Sequence, residues 1–224
     1  MKKIVIAIDG PAAAGKSTTA KLVAEKLNYL HIDTGAMYRA LTYKILRDGI
    51  DPENEAAVVE ALKDSKVDLK KEKNEIKVFL DDEDVSKYLR SAEVTNAVSA
   101  VSSYKQVREM MVELQRRISN EGGVVLEGRD IGTVVIPDAD LKIFMIAGIE
   151  TRAKRRQKEL AEKGLMIDYN KIVNEIIERD NKDSKRKESP LRKADDAIVL
   201  DTSNLSIEEQ VNFIVNKALE IIEN

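Results

Sequence analysis

The first apolar run, Ile4-Val5-Ile6-Ala7-Ile8, is continuous rather than alternating. A strand apolar on both faces is buried on both faces, as in a parallel sheet. The chain then turns through Asp9-Gly10-Pro11 and takes up a helical period over Lys16 to Leu27, with Leu22, Val23 and Leu27 as its apolar stripe. Gly35 to Arg47 predicts a second helix stopped at Gly49, and Asn54 to Lys63 a third. Between 66 and 90 the period changes. Val67 and Leu69, then Ile76, Val78 and Leu80, alternate with polar partners, and Lys73-Asn74 sits between the runs as a turn. This predicts a half-exposed antiparallel hairpin, with a short third strand near Glu83 to Val85, inserted into a different kind of fold. Helical periodicity resumes from Ala92 and runs to Ser119, where Gly122-Gly123 breaks it. Val124-Val125-Leu126, Leu141 to Ile146 and Ile198-Val199-Leu200 predict further buried strands, with helices at about 150–163, 169–182 and 206–222. Short buried strands alternating with helices predict an α/β fold around a mostly parallel sheet. No solenoid period and no Pro/Gly/Ser-rich linker divides the chain. The stretch Arg179 to Arg192 is charge-dense but too varied to read as disordered.

Length and composition narrow the function. The 224 residues, 43% hydrophobic and 34% charged, suit one large domain with insertions or two small ones. A net charge of -3 argues against bulk nucleic-acid or polybasic membrane binding, which need a cationic surplus. Without cysteine there is no disulfide, thiol nucleophile or cysteine zinc site, and a single histidine, His31, rules out a multi-histidine metal centre. No G-x-S-x-G turn accompanies it for a serine triad. The opening apolar run is shorter than the ~7–15 residues of a signal peptide, and no run nears the ~20 of a membrane span. A cytoplasmic address is expected.

The chemistry begins at Gly10-Pro11-Ala12-Ala13-Ala14-Gly15-Lys16-Ser17, followed by Thr18. It fits G-x-x-x-x-G-K-[ST] in full, between a buried strand and a helix. Glycines let the backbone wrap a phosphate chain with N–H groups pointing inward, and the helix N-terminus favours anions. Lys16 reaches the β- and γ-phosphates in this arrangement, and the Ser17 hydroxyl takes Mg²⁺. The loop says nucleoside triphosphate, not what happens to it. A GTPase needs N-K-x-D, and Asn181-Lys182-Asp183 lacks the spacer. A motor wants consecutive acids after a strand, and Leu126-Glu127-Gly128-Arg129-Asp130 has an arginine among its acids.

In a doubly wound sheet the strand C-terminal ends converge with the phosphate loop. Asp33, Arg39, Arg129 and Asp130, each after an apolar segment, are therefore expected at one cleft. Two arginines near a triphosphate suggest a second phosphorylated substrate. A further basic group, Arg152, Lys154, Arg155 and Arg156, reads either as a solvated helix face or as a mobile lid bringing positive charge to a transition state. Arg179, Asp180, Asp183 and Arg186 read, on their own, as exposed helix surface.

Taken together these segments resemble the bacterial cytidylate kinase family over essentially the whole chain. They are G-P-A-A-A-G-K-S-T at 10–18, D-T-G-A-M-Y-R at 33–39, N-A-V-S at 96–99 and V-R-E at 107–109. E-G-R-D-I-G-T-V-V-I-P-D-A at 127–139, R-D-N-K-D-S-K-R at 179–186, S-P-L at 189–191 and A-D-D-A-I-V-L-D-T-S at 194–203 complete the set. The hairpin resembles the extra monophosphate-binding subdomain of the longer bacterial form. The resemblance implies a P-loop nucleoside monophosphate kinase fold: a mostly parallel central sheet flanked by helices, a small antiparallel β insert and a helical lid. The core would be 1–34, 91–149 and 164–224, the monophosphate-binding region 35–90 with its insert at about 66–90, and the lid 150–163.

The implied reaction is in-line transfer of the γ-phosphoryl group of ATP to CMP or dCMP, with Mg²⁺, giving ADP and CDP or dCDP in pyrimidine metabolism. Lys16, Arg129 and Arg155 would be catalytic, and 10–18 would bind ATP. Thr34, Tyr38, Arg39, Arg129 and Arg186 would hold the acceptor phosphate. Ser99, Arg108 and Asp130 would read cytosine, and Arg179 and Asp183 would contact the sugar. Ser17 would ligate Mg²⁺, with Asp33 acting through a water. Family members often carry serine at the position of Thr34 and D-G-R-D where Glu127 to Asp130 stand, and Glu127 is left out of the expected site. The partners would be ATP, CMP and dCMP, with no nucleic acid or membrane, and the chain a monomer. A UMP/CMP, adenylate or shikimate kinase, a slow phosphate-loop regulator, or an RNA-binding ATPase are the competing readings.

Overall fold

A computed structural model describes residues 2–72, 75–162 and 164–223, so the turn expected at Lys73-Asn74 and the last residue of the expected lid lie outside the described residues. The order is β1 (Val5–Asp9), α1 (Lys16–Leu27), β2 (Leu30–Asp33), α2 (Thr34–Arg47), α3 (Glu55–Leu62), β3 (Val67–Glu72), β4 (Glu75–Leu80) and β5 (Glu83–Asp84). Then come α4 (Ala92–Val101), α5 (Lys105–Ser119), β6 (Val124–Gly128), a π-helical turn (Ile131–Val135), β7 (Leu141–Ile146), α6 (Ile149–Glu162), α7 (Tyr169–Lys185), β8 (Ile198–Asp201) and α8 (Ile207–Ile222).

The chain forms two compact units, 1–31 with 119–224, and 32–118. The sheet of the first unit runs β2-β6-β1-β7-β8. β1 is central and pairs in parallel with β6 and β7, and β8 extends β7 in parallel. Ile4, Ile6 and Ile8 are fully buried with Ile143 and Met145, against Ala20, Val23 and Ala24 of α1 and Val211, Ile214 and Ala218 of α8. Ala7, between Ile6 and Ile8 and pointing to the opposite face, is also fully buried, so the continuous apolar run has a physical reason: both faces of β1 are covered. A smaller cluster, Ala153, Leu160, Ile172 and Ile176, joins α6 to α7, and Ala13 of the phosphate loop packs on it.

The second unit carries the expected hairpin as a separate antiparallel sheet, β3-β4-β5. Val67 opposes Leu80 and Leu69 opposes Val78, so one face is apolar and the other polar. Tyr43 of α2 stacks on Tyr88 at 4.7 Å. α4 and nearly all of α5 belong with this unit.

The unbroken helical period expected from Ala92 to Ser119 is corrected: it is two helices, parted at 102–104. The Ser102 hydroxyl donates to the Ser99 carbonyl and Ser103 to that of Ala100 at 2.7 Å, so serine side chains take over the carbonyls that would continue the helix.

Candidate active site

The phosphate loop leaves β1 at Gly10. A Cβ there would lie 2.1 Å from the Met145 carbonyl oxygen, so only glycine permits this exit beside β7. Ala13 (φ 57°) and Gly15 (φ 99°) are left-handed, and Gly15 leads into α1. Lys16 is buried, and its Nζ donates to the Pro11 carbonyl at 2.8 Å, folded over the loop it serves. Burial pushes its ammonium down to about 7, helped by the Arg129 guanidinium and opposed by Glu127 and Asp9. A lysine so deprived of water gains strongly from an arriving phosphate. Arg155, expected at the transition state, donates to the carbonyls of Ala14 (3.3 Å) and Thr202 (2.6 Å), and to the Thr202 hydroxyl.

Around the loop lies a set of paired charges within the first unit. Asp9, at the end of β1, accepts from the N–H groups of Ile131 and Gly132, each at 2.8 Å. It thereby anchors the π-helical turn that follows Asp130. Burial raises its carboxyl to about 6 against those two hydrogen bonds. Asp130 accepts from Arg186 at 3.3 Å, and Asp183 from Arg129 Nε at 2.8 Å. Arg186 is held by the Ser189 carbonyl, and Leu191 N–H returns to the Asp183 carbonyl, so the segment after α7 folds back on it. Asp183 on α7 and Arg186, which caps its C-terminus, are tied into these pairs rather than left on an exposed surface. The surface reading of this stretch applies to its other side, where Lys182, Lys185 and Lys187 are exposed.

The second unit brings together other expected residues. Asp33 caps α2, accepting from Ala36 N–H at 2.9 Å, with Arg39 and Arg90 guanidiniums at 3.9 and 3.6 Å. Thr34 and Tyr38 on α2 are buried. Arg108 of α5 is also buried, its guanidinium over the Tyr38 ring at 5.3 Å while it donates to the Ser102 carbonyl. The turn that splits α4 from α5 therefore also fixes Arg108. Ser99 lies in the last turns of α4.

The cytidylate kinase family model matches residues 6–222. The chain belongs to the cytidylate kinase family. A cytidylate kinase of Bacillus anthracis is 52% identical over 220 residues, 98% of each chain. One of Bacillus cereus is 53% identical over 215 residues, 96% of each. The crystal structure of an uncharacterized protein from Eubacterium ventriosum, 15% identical, superposes with a TM-score of 0.55, covering 96% of this chain and 98% of that one, which speaks to the fold.

In this cytidylate kinase family member the sequence reading passed over Glu127. Its carboxylate accepts from the Ser17 hydroxyl at 2.7 Å and faces His31 Nε2 at 3.1 Å. The signal was there, an acid ending a buried strand beside β1, in register with Ile8. Arg129, two residues on, disguised it.

Asp183 supports a pH prediction. Burial would raise its carboxyl, but Arg129, Arg179 and Arg186 outweigh burial and hold it below the usual carboxylate range. Such a group stabilises the fold above the unfolded-state value, ~4, and the contribution is lost as pH falls through the folded value. Asp183→Asn is expected to cost about 3–5 kcal/mol at pH 7. Urea denaturation of both proteins checks this, and the gap should close on acidification below pH ~4. An unchanged gap in acid would assign the loss to packing.

Proposed function

We propose that this chain transfers the γ-phosphoryl group of ATP to CMP or dCMP, releasing ADP and CDP or dCDP. The observation that carries this reading is a complete phosphate loop with a buried lysine, set beside paired arginines and carboxylates, in a chain of the cytidylate kinase family. Residues 10–18 bind ATP. Lys16 exchanges the Pro11 carbonyl for the β- and γ-phosphates. Arg155 exchanges its carbonyl acceptors for phosphate oxygens, and 150–163 acts as the lid that makes this possible.

Thr34, Tyr38, Arg39, Arg129 and Arg186 hold the CMP phosphate. Asp130 reads the cytosine amino group together with Ser99, and Arg108 donates to the ring acceptors. Arg179 and Asp183 contact the sugar. The attacking CMP phosphate oxygen is already anionic, so no general base is required. Catalysis consists of positioning and charge stabilisation by Lys16, Arg129 and Arg155.

Mg²⁺ suits the donors present. Ser17 offers a hard oxygen oriented by Glu127, and among the described residues no group of three His, Cys, Asp or Glu side chains could hold a metal alone. Mg²⁺ takes few protein ligands and shares the phosphates. Ser17 would hold it, with Asp33 through a water. When bound, it neutralises phosphate charge. Among the described residues no helix is long and apolar enough to cross a membrane. We read the protein as a cytoplasmic monomer without a nucleic-acid partner.

The test is a coupled assay with ATP and a panel of monophosphates. CMP and dCMP should exceed UMP and AMP by about 100-fold or more in kcat/KM, because the wrong base leaves buried polar groups unpaired. A preference for UMP or AMP would overturn the cytosine assignment. Transfer to none of them would favour a regulatory role for the loop.

A further inference from the structure

We propose that Arg152 and Asp180 form a clamp that sets the shape of the phosphate loop by holding Ala12 from both sides. The inference rests on the loop being the ATP site. The Ala12 N–H donates to Asp180 Oδ1 at 3.0 Å. The Ala12 carbonyl accepts from Arg152 Nη1 at 3.1 Å. Arg152 Nη1 and Asp180 Oδ2 are themselves paired. An arginine from α6 and an aspartate from α7 thus close a ring around one residue of the loop, fixing the peptide before Ala12 and the peptide after it.

The next residue shows why this matters. Ala13 has φ 57°, a left-handed conformation that disfavours a side chain with a Cβ. Such a conformation persists only where its surroundings over-determine it. The clamp fixes the peptide entering Ala13, and the apolar cluster of α6 and α7 packs on the Ala13 side chain. The polar and apolar contacts from the same two helices therefore act on adjacent residues. In a phosphate loop it is the N–H groups from here onward that face a phosphate chain.

Arg152 is only 9% exposed, and its Nη1 already serves two acceptors. That use differs from the lid role the sequence suggested for this basic group. It makes Arg152 a positioning residue: α6 and α7 shape the donor site through a backbone contact rather than by touching nucleotide.

The test measures binding of a non-hydrolysable ATP analogue and, separately, of CMP, with thermal melting of each variant. Asp180→Ala and Arg152→Ala should each weaken analogue binding about tenfold and leave CMP affinity within about twofold. The double variant should be no weaker than the weaker single one, because the two residues act as a unit. Asp180→Asn keeps an oxygen for the Ala12 N–H and should recover part of the loss even if the alanine variants fold poorly. Lys171→Ala, exposed on α7, should change nothing. Unchanged analogue binding in Asp180→Ala, additive losses, or equal loss of analogue and CMP would overturn the clamp. Lys16→Ala separates the two readings. If it weakens analogue binding while Asp180→Ala does not, the clamp alone fails. If both leave binding intact, the ATP-site assignment fails and the clamp with it.

Discussion

Replacing Lys16 with alanine is expected to lower phosphoryl transfer by about 10³-fold, since it removes a preorganised cation from the charge that develops on the phosphates. The fold should survive, because this lysine opposes stability. Burial presses its ammonium down to about 7. Between that value and the unfolded-state value of ~10.4, the unfolded chain binds more protons than the folded one. Stability therefore rises with pH across that window, and the lysine penalises the fold most at and below neutrality. Lys16→Met, which fills similar space without a charge, should be at least as stable as wild type at pH 7. It should also lack the wild-type rise in stability between pH ~7 and ~10. Steady-state rates and urea denaturation at two pH values check both halves. A variant that loses activity and stability together at pH 7 would make Lys16 a structural residue.

That opposition of activity and stability has no trace in hydrophobic pattern, yet the loop itself was plain in the sequence. Its spacing is local, and the buried strand and helix on either side have distinct periods. The hairpin over 67–84 was legible for the same reason, as alternation is a local property. β2 escaped because four residues, Leu30–Asp33, hold too little pattern to set a period. The break between α4 and α5 escaped because Ser102 and Ser103 end the helix through side-chain hydrogen bonds, while the apolar period continues across them. Glu127, Asp180 and Arg152 were visible as charged residues but not as contacts. Asp180 meets Ala12 across 168 positions, a pairing that only the packing of α7 on α6 creates. Asp33 shows the converse. Its place at the head of D-T-G-A-M-Y-R pointed toward phosphate chemistry, and the structure also gives it the ordinary work of capping α2.

Arg129→Ala is expected to reduce kcat/KM for CMP by about 10²–10³-fold while ATP affinity changes by less than about threefold. Arg129 Nε is engaged by Asp183, and Nη1 donates to the Gly128 carbonyl at 3.3 Å. Those bonds orient the planar fork that, on the proposed function, meets the acceptor phosphate. Alanine removes the fork and also leaves Asp183 buried with less compensating charge, so stability should fall with CMP use. Arg129→Lys separates the two effects. A lysine can restore positive charge beside Asp183 but cannot hold that carboxylate and a phosphate with one rigid plane. It should recover most of the stability lost in Arg129→Ala and little of the CMP activity. Recovery of both would mean that charge alone suffices at this position. Equal loss of ATP and CMP binding in Arg129→Ala would mean that the guanidinium supports the unit as a whole rather than the acceptor phosphate.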